Sequence, residues 1–382
     1  MRMQGKRLPV ALLLGLSCGA AQAEFSLNGF GTLGVAEVHG DDRRYGLSGE
    51  YVDELRTEPV SRAGLQGRYQ FSDSLSATGQ LLVRGERSRY DTDVEWAYLS
   101  YQATDSLELR AGRLRLPAFL LSESLDVGYS YPWIRPPAEV YSQVPISRYI
   151  GGDLLYNTAL GDYDTTFQLM LGQTDSDVFM NGAETEMEAR DMWGASITLQ
   201  YEYGRVRLGH VAANIDVDTN FRAVAEMPPG NFVVGNARDD FGLVLEGLDG
   251  SFTSLGYSYE RDNWVSYGEV AARKVDGLNF PDTHSAFLTL GYRIDNWMPH
   301  LTWGWSEVTD DAQVNGVSIK DGEQTSWTVG VRYDVQPGLA VKAEYQMIDA
   351  DGPNGYSSLF ETAGLPRDAD AEIVSLAVDF VF

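Results

Sequence analysis

The chain has 382 residues, with 29 Lys and Arg against 55 Asp and Glu, a formal charge of −26. Such an acidic chain offers no basic face, which excludes nucleic acid as a partner. A hydrophobic content of 43 % excludes general disorder; one Cys excludes an intrachain disulfide and a cysteine-based metal cluster, and 40 Gly, 21 Tyr and 8 Trp point to an all-β protein.

Residues 1–23 read as a signal peptide. Arg2, Lys6 and Arg7 form a positive start, Leu8 to Leu16 an apolar run, and Ala21-Gln22-Ala23 a small-residue cleavage site between Ala23 and Glu24. The apolar run is too short for a membrane helix, and Gly15 stands where a lipoprotein signal ending at Cys18 would need Leu. No later segment is long and apolar enough for a spanning helix. That leaves a soluble exported protein or a closed barrel.

Residues 24–382 form one domain of alternating apolarity. Sixteen segments are expected to be strands, starting near Phe25, Ser61, Leu75, Val94, Leu107, Asp153, Tyr163, Met192, Arg205, Ser251, Trp264, Ser285, Trp297, Thr325, Leu339 and Glu372. In an early one, Ala63, Leu65, Tyr69 and Phe71 oppose Arg62, Gln66, Arg68 and Gln70. Near the end, Trp327, Val329, Val331 and Tyr333 alternate with Thr328, Gly330, Arg332 and Asp334. Leu339, Val341, Ala343, Tyr345 and Met347 oppose Lys342, Glu344 and Gln346. In the last, Val374, Leu376, Val378, Phe380 and Phe382 share one face, against Ser375, Ala377 and Asp379.

Short turns at Ser72-Asp73, Gly161-Asp162, Asp295-Asn296 and Gln336-Pro337 alternate with long polar stretches at 38–60, 116–151, 174–191, 215–250, 308–324 and 349–371. All long loops at one end is the plan of an outer-membrane barrel with short periplasmic turns. Ten residues at about 3.3 Å, tilted by about 45°, span about 23 Å, close to the apolar band of such barrels. Tyr69, Phe71, Tyr163, Tyr201, Tyr203, Tyr257, Tyr259, Trp264, Tyr292, Trp297 and Tyr333 gather beside the short turns, as a periplasmic aromatic girdle would. Polar inner and apolar outer faces invert the plan of a soluble barrel, and sixteen strands leave an aqueous channel.

The strand Phe25 to Gly34 after a signal peptide, Gly112-Arg113 running into a long loop, and an alternating last strand ending in Phe382 together resemble Gram-negative outer-membrane porins of the general-diffusion superfamily. The resemblance implies a sixteen-stranded antiparallel transmembrane β-barrel in the outer membrane, usually a homotrimer. It would sit in lipid and lipopolysaccharide and pass small hydrophilic solutes and ions passively. It further implies that the β-barrel assembly machinery reads Phe380 and Phe382, and that the third external loop folds into the lumen. That loop, 116–151, is stiff and partly apolar, with Pro117, Pro132, Pro136, Pro137 and Pro145 among aromatics from Phe119 to Tyr149, as a segment packed inside a barrel should be.

Arg62 and Arg84 share inward parity and would be neighbours across the Ser72-Asp73 hairpin, with Arg68 lower on the same wall and Arg110 inward on the fifth strand. Strict alternation puts Arg113 outward. A three-residue turn at Ala103 to Asp105 would set it opposite Glu95, and a bulge near Gly112 would turn it inward. Loop acids Glu123, Asp126 and Glu139, against Arg135 and Arg148, are expected to face this arginine wall and form the pore constriction, with a transverse field across the water path.

Other motifs carry no chemistry. Gly29 to Gly34 fits G-x-G-x-x-G but lies on a strand with no helix after it, and its glycines read as close packing. Asp349 to Gly355 is like a calcium loop, but Pro353 and an early Gly break the EF-hand; a divalent-ion bridge to lipopolysaccharide is the weaker reading. His39, His210, His284 and His300 are scattered, with no H-E-x-x-H or G-x-S-x-G. No cofactor, metal or catalytic residue is assigned, and the chain is read as no enzyme. The alternatives are a solute-selective channel of the same fold, a structural or adhesive barrel with a plugged lumen, and an outer-membrane hydrolase.

Overall fold

The computed structural model describes residues 24–40, 55–86, 89–180, 183–218, 222–226, 232–236, 238–239, 245–276, 282–309, 313–314, 317–318, 322–351 and 368–382. The leader and Ala23, parts of the other long external stretches, and the calcium-like run beyond Asp351 lie outside the described residues; Glu24 opens the first strand.

Sixteen strands close into one barrel: β1 (Glu24–Gly40), β2 (Arg62–Ser72), β3 (Leu75–Glu86), β4 (Arg89–Thr104), β5 (Leu107–Arg115), β6 (Arg148–Leu160), β7 (Tyr163–Met180), β8 (Ala183–Tyr201), β9 (Gly204–Val217), β10 (Leu245–Arg261), β11 (Trp264–Val275), β12 (Thr283–Tyr292), β13 (Trp297–Val308), β14 (Glu323–Gln336), β15 (Leu339–Asp351) and β16 (Asp368–Val381). Each pairs antiparallel with its neighbours in sequence, and β16 closes on β1. Every strand of this closed barrel is paired along both edges, the condition for crossing hydrocarbon with strands.

The period-two pattern sets which side each residue faces. On β16 Leu376 is 52 % exposed on the outer wall while Asp379 is fully buried on the inner one. The lower ends match the expected boundaries at Leu75, Leu107, Tyr163, Trp264, Trp297 and Leu339. The upper ends run further: β4 begins at Arg89 rather than Val94, β6 at Arg148 rather than Asp153, β8 at Ala183 rather than Met192, and β10 at Leu245 rather than Ser251. Thr174–Met180 pair with Ala183–Ala189, so most of the expected loop 174–191 is ribbon. Above the lipid the backbone ladder persists, but outward side chains no longer need to be apolar, and the alternation signal fades.

The girdle aromatics pair ring against ring at the lower rim: Tyr69 with Phe71, Trp264 with Tyr292, and Trp297 with Tyr333, at centroid distances of 4.8, 4.9 and 4.5 Å. Phe382 exchanges two backbone bonds of 2.9 Å with Gly29. The rings of Phe382 and Phe380 cover Gly29 and Gly31, where any Cβ would overlap them. The glycines of the G-x-G-x-x-G run therefore seat the C-terminal aromatics at the closing seam.

The inner wall departs from the expected polar lining. Met170, Val211, Phe252, Ala271 and Phe287 form a buried apolar cluster with Leu116, Phe119, Leu120, Leu121 and Trp133. A second cluster joins Ala36, Val38, Val60, Ile348 and Ile373 to Ile134. Both exist because an apolar segment, 116–147, fills part of the barrel. It ends at Ser147, where β6 begins, not at 151.

Candidate functional site

Segment 116–147 contains two short 3-10 turns (Ser122–Ser124 and Gly128–Ser130) and one helical turn, α1 (Ala138–Tyr141). Its backbone groups find partners on the barrel wall, as buried peptide groups must. The Leu120 amide donates to Glu269 (2.9 Å), and the Ala118 carbonyl accepts from Ser254 (2.8 Å). The Trp133 indole donates to Thr289 and Thr302 at 3.0 and 2.9 Å, and the Ile134 amide to Glu344 at 2.9 Å. The Lys342 ammonium donates to the carbonyls of Gly128, Tyr131 and Trp133 at 2.7, 2.8 and 2.6 Å, and pairs with Asp379 at 2.7 Å. Thr32 donates to the other oxygen of Asp379. Arg332 donates to the Tyr129 carbonyl (2.7 Å), and the Tyr129 hydroxyl accepts from Gly338 N–H (3.1 Å) in a periplasmic turn. Gly128 sits so close to Thr32 and Asp379 that a side chain there would collide with both. The segment thus seals the inner wall of β14, β15, β16 and β1.

The adjoining sector, β2–β6, carries the expected arginines. Arg62 stands directly across from Arg84. Arg62 donates to the Tyr131 hydroxyl at 2.7 Å and the Ile134 carbonyl at 3.2 Å. Arg84 pairs with Glu95 at 2.7 Å. Arg110 makes a two-pronged pair with Asp153, at 2.8 and 2.6 Å. Two more arginines complete the cluster: Arg115, which the site expectation left out, and Arg148, which it gave only as a counter-charge within the loop. Arg115 bridges Glu95 and Asp126, both at 2.6 Å, and Arg148 reaches Asp93 and Glu95 at 2.9 and 3.2 Å. Glu95 is the centre, turned inward by a bulge: Leu81 pairs with Val94 and Gln80 with Trp96, leaving Glu95 as the extra residue.

The expected opposition of loop acids to arginine wall is corrected in three respects. Arg84 and Arg110 are matched by wall carboxylates, Glu95 and Asp153, which alternation alone does not reveal. Glu139 does not face the arginines; it is buried against β13 and β14, accepting from Gln324 at 2.7 Å, because α1 is packed on the far wall. Arg113 lies opposite Ala97, not Glu95, since the turn before β5 lies further along the chain than expected, at Asp105-Ser106. Its guanidinium donates to the Val94 carbonyl at 3.0 Å on the outer side. Asp126 does meet the arginines. Burial alone would raise its carboxyl, but Arg115, with Arg84 and Arg62 behind it, holds it below the usual range. Glu123 is exposed inside the barrel, within electrostatic reach of Arg110 and Arg207. The four histidines stay apart, next to Glu37, Thr253, Glu307 and Glu344.

The anchoring residues had a signal that the site expectation left unused. Asp379, Lys342 and Arg332 occupy inward positions on strands of clear alternation, and a charge there must be either wet or paired. Arg115 had none, because it turns inward only where β5 gives way to the loop.

The family described as Gram-negative porin matches residues 137–353. Among solved structures, the outer membrane channel DcaP of Acinetobacter baumannii is 16 % identical with a TM-score of 0.59, covering 96 % of this chain and 100 % of that one. The anion-selective porin from Comamonas acidovorans is 15 % identical with a TM-score of 0.59, covering 94 % and 100 %. The trimer form of OmpT from Vibrio cholerae is 13 % identical with a TM-score of 0.55, covering 93 % and 99 %. No curated protein matches in sequence.

Proposed function

The chain belongs to the Gram-negative porin family, a protein of the outer membrane, and from that premise we propose that it passes small hydrophilic solutes and ions passively, with no enzymatic step. One observation carries this reading. While segment 116–147 seals the inner wall of β14–β16 and β1, the Arg84 and Arg110 side chains stay 26 % and 15 % exposed and Glu123 is exposed beside them. The solute path runs along this open sector. Segment 116–147 is its constriction, held in place by Arg62, Asp126, Glu139 and the Lys342 anchor. Liposomes carrying the folded protein should swell in small sugars; liposomes that hold their volume would show a plugged barrel instead.

A second reading, a solute-selective channel, is favoured by the apolar filling around Phe252, Phe287 and Trp133, which leaves less open lumen than a polar-lined barrel. Swelling rates that fall steadily with sugar size support diffusion; one solute far above that trend supports selectivity.

A homotrimer fits the outer wall of β2–β5. A groove there is lined by Gly67, Ala77, Gly79, Ala97 and Ala111, with Arg113 opposite Ala97. An outward arginine costs up to about 2–4 kcal/mol in lipid, most at the bilayer centre, and a second copy seated in the groove would remove that exposure. The remaining wall suits lipid and lipopolysaccharide, and Phe380 and Phe382 at the seam are the residues offered to the assembly machinery.

A further inference from the structure

An aromatic ring that lines a water path keeps carbon surface wet, and two such rings stand together on the open sector. Trp96 and Tyr98 share the inward face of β4, opposite Gln80 and Thr78 of β3, and both are partly exposed. Their ring centroids lie 6.4 Å apart, with the planes tilted by 54°. The only polar side-chain atom of Trp96, Nε1, is buried without a partner, so what this side chain shows the lumen is ring carbon. The Tyr98 ring leans on the apolar cluster of the inner wall, and the Arg110 guanidinium stands 5.6 Å from its centroid. Polar groups border the rings. Gln80 donates to Gln66 at 2.9 Å, and Gln66 is itself partly exposed. Arg68, exposed, lies in one cross-strand row with Thr78 and Tyr98. Above, the bulged Glu95 next to Trp96 holds Arg115, which holds Asp126. That chain of pairs draws Leu125 and Val127, the partly exposed neighbours of Asp126, toward the same wall.

We propose that Trp96 and Tyr98 form a stacking subsite for sugars. The rings take the apolar face of a pyranose, while Gln66, Arg68 and Arg110 meet its hydroxyls. This rests on the channel reading. A pyranose has a face of C–H groups and a rim of hydroxyls; a linear polyol has the hydroxyls without the face. Carbon face against carbon face removes the surface of both from water, and the few polar groups at the rim fix the orientation. Two rings without an enclosing pocket hold a sugar loosely, as a channel must, since a solute has to leave as readily as it enters.

The test uses the full-length folded protein in planar bilayers, reading the potassium chloride current as maltose or the linear polyol sorbitol is added. Maltose should lower the current saturably, and sorbitol only in proportion to viscosity. Trp96→Leu combined with Tyr98→Leu, taken as folded when it keeps the wild-type heat-modifiable shift, should raise the half-blocking maltose concentration about tenfold. Trp96→Phe keeps a ring and should stay within about threefold of wild type. Trp327→Leu, which removes an exposed ring from the outer wall, should leave the block unchanged. Wild-type current that maltose and sorbitol lower alike overturns the subsite, whether or not the variants fold. A folded double variant blocked at the wild-type maltose concentration overturns it too, and both results leave the channel reading intact. Folded wild type that conducts no ions overturns the channel reading and the subsite with it.

Discussion

Two sectors of the same inner wall carry similar charged residues in opposite circumstances. Beneath 128–134, Lys342 and Asp379 form a pair with no exposed side-chain surface, and three backbone carbonyls complete the ammonium's shell. In the adjoining sector, Arg84 and Arg148 keep 26 % and 18 % of their side chains exposed around a buried Glu95. The first arrangement is dry and serves as an anchor. The second is wet at its edge, where water solvates part of each charge and screens it. Parity puts a charge inside the barrel; what packs over it decides whether it acts on the loop or on a solute.

The largest effect should come from the dry sector. Lys342→Met leaves Asp379 without a counter-charge and three carbonyls without a donor. Breaking a buried pair from one side costs about 3–5 kcal/mol. Urea unfolding of the detergent-folded barrel should show that loss, and adding Asp379→Leu should restore most of it. If Lys342→Met alone is as stable as wild type, the loop does not dock on β15 and β16 as described.

A second comparison uses two inward positions under different cover. Ser375 is buried between β15 and β1 in the sealed sector, while Gln66 is partly exposed in the open one. Overfilling a packed interior costs about 1–3 kcal/mol, so Ser375→Arg should be destabilised by that amount. Gln66→Arg removes only the bond that Gln66 accepts from Gln80 at 2.9 Å and should cost at most about 1 kcal/mol. Equal stability of the two variants would mean that the sectors are equally wet.

The barrel was legible because its signal is periodic. Leu376 and Asp379 announce their faces through their neighbours, and aromatics such as Trp264 and Trp297 mark the lower rim. The inward loop was legible from its prolines and aromatics. Its docking was not: the Lys342 shell consists of backbone carbonyls from Gly128, Tyr131 and Trp133, and carbonyls leave no trace in side-chain chemistry. Glu139 faces the far wall because α1 packs on β13, a tertiary choice that parity cannot supply in a segment without regular period. Glu95 reached the centre of the arginine cluster through a bulge, one extra residue that period-two counting steps over.

The smallest effect separates the sectors most cleanly. Arg148 reaches Asp93, itself 42 % exposed, and Glu95, which keeps Arg84 and Arg115 when Arg148 is removed. Arg148→Ser therefore strands no buried charge, and its cost should stay near that of an exposed pair, at most about 1 kcal/mol. Salt then discriminates. Raising ionic strength from 0.1 to 1 M shortens the screening length from about 10 Å to about 3 Å, which weakens charges that water reaches and leaves dry ones nearly untouched. The destabilisation by Arg148→Ser, measured by urea unfolding, should shrink toward zero at high salt, while that by Lys342→Met should persist. If both costs fall in parallel, ions reach Lys342 as readily as Arg148, the cover over β15 is open, and the division of the wall into an anchor and a solute path has to be abandoned.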